Sequence, residues 1–202
     1  MNTVSALTFA VQSMITLLVI MDPPGATPIF LSLVADKSAR ERTRLAWQAA
    51  AVSLFVIATF AVFGRFILDY MSVSIEALQT AGGLLLLYVS LQLLTGAQSE
   101  EAKAGTNIGM VPLGTPLLAG PGAIVATMIF VQQADTGARI SGLALAIVIV
   151  HIIIGLVLML STKVLAIIKD SGVTLLARIS GLLLAAIAVQ MLANGIKILA
   201  QS

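Results

Sequence analysis

The chain has no cysteine, a single histidine, and charged side chains at only 10% of its 202 positions. Without cysteine it has neither a disulfide framework nor a thiolate metal site. Charged residues make up about 25% of an average soluble domain, so this chain has too few charges to cover the surface of a soluble protein. It also lacks a phosphate-binding P-loop sequence, which argues against direct use of ATP.

Apolar residues make up 59% of the chain instead, and the mean hydropathy is +1.07. A membrane-spanning helix needs roughly 20 mainly apolar residues. Six segments meet this requirement: about 5–33, 45–63, 74–95, 108–131, 140–161 and 174–199. The chain start lacks the basic region of a signal peptide, so we interpret the first segment as a retained span. The sequence therefore predicts an all-α integral membrane protein with six transmembrane segments in one domain, 1–202.

The basic residues divide unequally between the two sides of the membrane. If the chain crosses six times, eight of the eleven lie on one side: Lys37, Arg40, Arg42, Arg44, Lys103, Lys163, Lys169 and Arg178. Arg65, Arg139 and Lys197 lie on the other side. Because cytoplasmic loops carry the excess of Lys and Arg, we expect a bacterial inner-membrane protein with both termini on the periplasmic or extracellular side.

The two halves of the sequence, about 1–100 and 105–202, resemble each other. Gly83 and Gln92 in the third segment match Gly181 and Gln190 in the sixth, at an offset of 98 residues. The tripeptide Pro-Gly-Ala also occurs at 24–26 and again at 121–123. Each half has three spans, an odd number, so the halves would lie upside down relative to each other, as in many transporters. The alternative is chance, since leucine-rich helices align easily.

Prolines interrupt the first segment. Pro23, Pro24 and Pro28 cannot all lie inside one regular helix, because proline lacks an amide donor and clashes with the preceding turn. The sequence predicts a helix that ends near Met21, a break, and a short second helix. Asp22 and Pro23 are suited to the N-cap and first positions of that second helix.

The fourth segment contains Pro112, Pro116 and then the run Gly120-Pro121-Gly122. The same argument predicts a short helix, a break at Leu118–Gly120, and a second helix that starts near Pro121. The first turn of that helix is expected to leave three backbone amides without partners. These are the amides of Gly122, Ala123 and Ile124.

Two such breaks would bring the N-termini of two half-helices towards each other inside the membrane. Irregular backbone at that depth needs protein or a water-filled cavity around it, and the partial positive charge of the helix ends favours an anionic group. Asp22 aligns with Ala119, so only one break carries a carboxylate. A small zwitterion fits this difference: its ammonium, or a coupling cation, near Asp22, and its carboxylate on the amides of Gly122 and Ala123. The alternative is that Asp22 only caps its half-helix.

Other polar residues within the spans have two interpretations each. His151 is a candidate proton relay, or a neutral side chain hydrogen-bonded between helices. Gln92 and Gln190 either hydrogen-bond across the bundle or contact substrate. Three threonines flank the breaks, where they line a cavity or satisfy carbonyls freed by the prolines: Thr27, Thr115 and Thr127.

Two motifs together resemble the MarC family, the SnatA-like neutral amino acid transporter family also known as UPF0056. They are Met21-Asp22-Pro23-Pro24-Gly25 with Pro28-Ile29-Phe30, and the run from Val111-Pro112-Leu113 through Pro116 to Ile124. The resemblance implies transport of small neutral amino acids such as glycine and alanine, coupled to a proton or sodium gradient. The site residues it carries over are Asp22, Pro24, Gly25, Gly120, Pro121 and Gly122. Pro24 stands where many members have a bulkier apolar residue.

A carrier is the leading interpretation of these features, and three alternatives remain. Paired half-helices also build channels, and an exporter of small metabolites would have the same scaffold. An intramembrane enzyme would need a nucleophile with a base, or a metal cluster, so we expect the protein not to be an enzyme. The expected partners are an amino acid, a coupling H⁺ or Na⁺, the lipid bilayer and a second copy of the chain, with no cofactor, metal or nucleic acid.

Overall fold

The computed structural model describes residues 5–95 and 118–201, which form helices joined by short turns, without strands. Seven helices follow one another in these residues: α1 Ala6–Met21, α2 Pro23–Leu33, α3 Ala39–Tyr70, α4 Ile75–Thr95, α5 Pro121–Gln133, α6 Gly137–Met159 and α7 Ser161–Leu199. Several helices begin with a side-chain cap. At α3, for example, Ser38 and Glu41 form a reciprocal capping box.

Five helical segments are long and apolar enough to cross a bilayer: Ala6–Leu31, Ala39–Tyr70, Ile75–Thr95, Gly137–Met159 and Thr174–Leu199. They correspond to five of the six spans predicted from sequence. Gly122–Gln133 is a shorter apolar helix, and it lies in the remaining predicted span, 108–131. Only the part of that span from residue 118 onwards is described, so the predictions on Pro112, Thr115 and Pro116 lie outside the described residues.

The loop predicted after the fifth span is instead helical. α6 ends at Met159, and α7 begins at Ser161 and continues for 39 residues. At 1.5 Å per residue this helix is roughly 58 Å long, about twice the hydrocarbon thickness of a bilayer. Residues 161–173 contain no proline, so nothing in them forces the backbone out of a helix. Lys163 and Lys169 therefore lie on a helical extension and not in an irregular loop.

α4 and α7 form a close antiparallel pair that depends on glycine. A Cβ added to Gly83 of α4 would lie 2.9 Å from the carbonyl oxygen of Ala188 and 2.9 Å from Cγ of Leu192. A Cβ added to Gly181 of α7 would lie 3.1 Å from the carbonyl oxygen of Ser90, 3.0 Å from Leu93 and 3.2 Å from Leu94. Small residues let the two backbones approach in this way. Adding 98 to the number of Gly83 gives Gly181, and subtracting 98 from those of Ala188 and Leu192 gives Ser90 and Leu94. The two sets of glycine contacts are therefore related by one shift of 98 residues.

Two buried apolar clusters meet at α5. The first contains residues of α1, α2, α3 and α6 together with Leu118, Ala119, Ala123 and Ala126. The second joins α4 to α7 and includes Val125 and Ile129 of α5. α5 is therefore surrounded by the other helices, and its first turn lies in the interior of the bundle. Large apolar side chains on the outer faces, such as Phe55 and Leu182, are exposed, as expected of helices that face lipid.

Candidate functional site

The first predicted break is confirmed and lies at Asp22. α1 ends at Met21, α2 begins at Pro23, and between them Asp22 has a left-handed backbone with φ 38° and ψ 66°. Residues with a Cβ seldom adopt this conformation, although aspartate tolerates it better than most. The Asp22 amide donates to the Leu18 carbonyl at 3.1 Å, and the Asp22 carbonyl accepts from the Ala26 amide at 3.0 Å. The backbone of the break is thus held from both helices.

Pro23 and Pro24 explain why the break occurs at this point. In a continuous helix the residues at positions 23 and 24 would donate their backbone N–H groups to the carbonyls of Val19 and Ile20. Proline has no backbone N–H to donate. The last turn of α1 therefore leaves two carbonyls without helical donors. Such carbonyls carry the partial negative charge of a helix C-terminus.

The Asp22 carboxylate is directed into the bundle. Asp22 occupies the predicted N-cap position of α2, with its carboxylate against the backbone of Gly25. It lies over Gly25, where an added Cβ would collide with a carboxylate oxygen and lie 2.9 Å from Cγ. Oδ1 accepts a hydrogen bond of 3.2 Å from the hydroxyl of Ser180 on α7. The side chain thus joins the break to another helix, and the interpretation of Asp22 as a cap alone does not account for this contact.

Ser180 was not among the residues predicted from sequence. A signal lay in the similarity between the two halves of the sequence: at the offset of 98, Ser180-Gly181 corresponds to Gly82-Gly83, so a hydroxyl replaces a glycine hydrogen. At the offset of 97 that aligns the two Pro-Gly-Ala tripeptides, Asp22 corresponds to Ala119. Asp22 and Ser180 therefore each have a small apolar residue at the matching position of the other half of the sequence.

Asp22 has no cationic partner within the described residues. It is 9% exposed, and the ion pairs found in residues 5–95 and 118–201 join Asp36 to Lys37, Arg65 to Asp69, and Asp135 to Arg139. A buried charge without a partner is costly, and an ionisable residue inside a membrane span is by default a functional candidate. A proton or a cation bound to the carboxylate at the break would therefore lower the cost of burying it.

Of the second predicted break, only the part from residue 118 onwards is described, and its geometry differs from that at Asp22. α5 begins at Pro121, as predicted, and the preceding Gly120 is extended, with φ −63° and ψ 165°. The prediction of three free amides was wrong for two of them. The amides of Ala123 and Ile124 both donate to the Gly120 carbonyl, at 3.0 and 3.2 Å, because the chain tightens into a 3₁₀-like first turn. Only the Gly122 amide lacks an acceptor within its own helix.

The two breaks lie close together in the interior of the bundle. A Cβ added to Gly122 would collide with the Leu86 side chain and lie 3.6 Å from Cγ2 of Ile20, in the last turn of α1. Residues from both breaks, including Met21 and Ala119, belong to the same buried cluster. The end of α1 and the start of α5 therefore meet away from lipid.

The two described threonines near the breaks are fully buried and hydrogen-bonded to their own helices. Thr27 donates to the Pro23 carbonyl at 3.0 Å, and Thr127 donates to the Ala123 carbonyl at 2.8 Å. These are ordinary contacts of a helical threonine with the carbonyl four residues earlier. The carbonyls that lose a donor to Pro23, Pro24 and Pro28 are those of Val19, Ile20 and Pro24, so neither threonine satisfies a carbonyl freed by proline. Thr115 lies outside the described residues.

His151 is buried between α3 and α6. Its Nδ1 lies 2.7 Å from the Ile147 carbonyl oxygen, and its Nε2 lies 3.2 Å from the hydroxyl of Ser53. A carbonyl only accepts, so Nδ1 carries a proton, and a neutral ring then accepts from Ser53 at Nε2. Both ring nitrogens are occupied, as in the interpretation of His151 as a neutral side chain between helices. Ser53 and His151 are 98 residues apart.

Gln92 and Gln190 do not hydrogen-bond across the bundle. Gln92 donates to the hydroxyl of Tyr88, and Gln190 donates to the side chain of Asn194, in each case four residues away on the same helix. Gln190 is exposed and Gln92 half-buried. Both follow the i, i+4 spacing at which helical neighbours meet, on the outer part of the α4–α7 pair.

The long apolar helices and the break they enclose define a multi-pass α-helical integral membrane protein. The chain matches the family described as MarC family integral membrane protein over residues 7–200. It is 38% identical over 187 residues to a UPF0056 membrane protein of Methanocaldococcus jannaschii, covering 88% of this chain and 91% of that one. It is 31% identical over 204 residues to UPF0056 membrane protein YvbG of Bacillus subtilis, covering 94% of each. The protein therefore belongs to the MarC family. No solved structure matches it.

Proposed function

We propose that the protein is a secondary transporter of small neutral amino acids of the glycine and alanine class, coupled to a proton or sodium gradient. The observation that carries the proposal is a buried carboxylate without a cationic partner in the described residues, at a helix break next to the start of another helix. A carboxylate in this position is stabilised by a proton, a metal cation or a substrate ammonium group.

The neighbouring end of α5 suits the opposite charge. Its Gly122 amide has no acceptor within the helix, and the helix N-terminus carries partial positive charge. A substrate carboxylate bound there would complete the pairing of a zwitterion with the two breaks. Pro24, Gly25, Gly120, Pro121 and Ala123 act through backbone shape in this proposal, because they contribute no ionisable side chain.

The side chains around α5 favour a small substrate. Leu86, 2% exposed, packs on Gly122 from α4, and Ile20 approaches it from α1. Closely packed apolar side chains of this kind disfavour a long substrate side chain. Glycine and alanine fit this requirement better than leucine or phenylalanine.

Many transporters that work by alternating access are built from two related halves, and we infer that this chain is an inverted repeat. The support is the exchange of glycine contacts between α4 and α7 on a shift of 98 residues, together with the Ser53–His151 contact at the same separation. Such a shift exchanges the contacts of Gly83 and Gly181, and Ser53 and His151 are themselves at matching positions. Contacts of both kinds are expected near a pseudo-two-fold axis in the membrane plane. We place the protein in the bacterial inner membrane, with both termini outside, on the distribution of its basic residues.

The proposal is tested with the purified protein in proteoliposomes, by measuring uptake of labelled glycine under an imposed sodium or proton gradient. Asp22→Asn is expected to lower ion-driven uptake roughly 10- to 100-fold, the equivalent of losing about 1.5–3 kcal/mol of contact with a charged group. Asp69→Asn is the matched control, because Asp69 is exposed and lies at the end of α3. Unchanged uptake by Asp22→Asn at normal abundance would remove the carboxylate from the mechanism.

A channel is distinguished from a carrier in the same preparation. Paired half-helices also line pores, so unitary currents across a planar bilayer would favour a channel. Saturable counterflow of labelled glycine, accelerated by unlabelled glycine on the other side, would favour a carrier. Import and export are not separated by this experiment, because the direction of a carrier follows its gradients.

A further inference from the structure

We infer that Ser180 and Asp22 together form a single binding site for the coupling cation, so that ion occupancy controls the contact between α7 and the break. This inference rests on the proposed ion-coupled transport and adds to it a residue, a ligand set and a stoichiometry. Ser180 is half-buried on α7 and donates to Asp22 across 158 residues of sequence.

The ligand set consists of oxygens. Asp22 supplies a carboxylate, Ser180 supplies a hydroxyl that both donates and accepts, and the same break leaves the carbonyls of Val19 and Ile20 without helical donors. Carboxylate, hydroxyl and carbonyl oxygens at an interrupted helix are the ligands that membrane transporters use for Na⁺ and H⁺. The site is therefore assigned to a hard monovalent cation.

The other charged and titratable groups around the break do not compete for this role. α7 also carries Arg178, two residues before Ser180, but that side chain is exposed and the described residues show no ion pair between it and Asp22. On α6, the imidazole of His151 is already engaged at both nitrogens. The carboxylate of Asp22 is thus the group at the break that changes state on ion binding.

The second half of the chain lacks the same ligands. At the matching positions Ala119 has no carboxylate and Gly82 has no hydroxyl, and a Cβ added to Gly82 would lie 2.9 Å from Cβ of Val125. One site of this kind within residues 5–95 and 118–201 follows from this difference. The ion dependence of uptake is therefore expected to be hyperbolic, with a Hill coefficient of about one.

The first test is the half-saturating ion concentration for glycine uptake in proteoliposomes. Ser180→Ala is expected to raise it roughly 3- to 10-fold, the effect of one lost hydrogen bond, whereas Ser180→Thr keeps the hydroxyl and restores it. Ser13→Ala is the matched control, because Ser13 is fully buried in α1 and donates only to Phe9 of its own helix, at 2.8 Å. Equal ion affinity in Ser180→Ala and Ser13→Ala, or a Hill coefficient near two, would overturn the inference.

The second test does not depend on the amino acid substrate. The chain has no cysteine, so Ser180→Cys introduces the only thiol, and its alkylation rate in proteoliposomes is measured in sodium, in potassium and across pH. We expect sodium at fixed pH, or protons once the ordinary thiolate titration of a cysteine is divided out, to change that rate several-fold when Asp22 is present and to leave it unchanged in the Asp22→Asn background. The same ion effect in both backgrounds, or none in either, contradicts the inference.

The two tests separate this inference from the proposed function. An ion effect on the thiol at position 180 that requires Asp22, in the absence of uptake of any amino acid, supports the ion site and rejects the proposed substrate class. Ion-driven glycine uptake that is indifferent to Ser180→Ala supports the proposed function and rejects Ser180 as a ligand.

Discussion

Irregular backbone precedes both α2 and α5 inside the helical bundle, and it is formed by different residues at the two places. At the first, two prolines follow Asp22, whose backbone is left-handed and whose carboxylate contacts another helix. At the second, Gly120 is extended, one proline follows, and the neighbouring positions are apolar. The first break thus has a buried charge and an uncommon backbone conformation, and the second has neither.

This difference assigns separate tasks to the two breaks. An uncommon backbone conformation costs about 1–3 kcal/mol and persists where the surrounding structure holds it, and at Asp22 it is held by hydrogen bonds to Leu18 and Ala26. In the proposed mechanism, the first break holds the group that changes charge during transport. The second presents a fixed amide dipole, which is suited to a carboxylate that never changes charge.

The largest expected effect comes from Gly25→Ala at the first break. The new methyl group would occupy the position of the Asp22 carboxylate and push it away from Ser180. We expect ion-driven glycine uptake to fall roughly 10- to 100-fold, as for loss of the charged contact itself. Uptake and abundance are measured in the same membranes, and normal uptake at normal abundance would contradict the assigned position of the carboxylate.

Gly122→Ala is the matching change at the second break. Its methyl group would collide with Leu86, which is buried and has little room to move, so we expect a loss of about 1–3 kcal/mol in stability. Thermal unfolding in detergent measures this loss. The half-saturating ion concentration should stay near the native value while the KM for glycine rises. A shift in ion affinity as large as that of Gly25→Ala would remove the distinction between the breaks.

His151→Gln separates the two intramembrane titratable residues. Loss of the contacts to Ser53 and Ile147 is expected to lower stability by about 1–2 kcal/mol, again measured by unfolding in detergent. Because both imidazole nitrogens are already engaged, the pH profile of glycine uptake should keep its midpoint. A displaced midpoint would instead assign proton coupling to His151.

Gly120→Ala is expected to have the smallest effect. Gly120 has an ordinary negative φ, and a Cβ added there would meet nothing within 4 Å among the described residues. The loss of stability should stay below about 1 kcal/mol, the range for an N-cap position without a side-chain hydrogen bond. A large loss of uptake at native stability would show that substrate occupies the space beside Gly120.

The positions of the breaks could be predicted because their causes are local. Pro23 and Pro24 remove amides from their own turn, and Pro121 favours the first position of a helix wherever it occurs. The contact of Asp22 with Ser180 could not be predicted in the same way, since the two residues lie 158 positions apart. The amides of Ala123 and Ile124 were mispredicted because a small tightening of one turn redirects them to Gly120.

The sequence by itself determined that this protein is embedded in a membrane and that helices begin at Pro23 and Pro121 within its first and fourth apolar segments. Both conclusions follow from properties of single residues, namely the cost of placing charges in hydrocarbon and the missing amide of proline. Only the tertiary structure decided which helix meets the carboxylate of Asp22, and that Gln92 and Gln190 bond within their own helices. Helix packing makes these choices, because many apolar faces of similar composition can pair and the best fit of small and large side chains selects one arrangement.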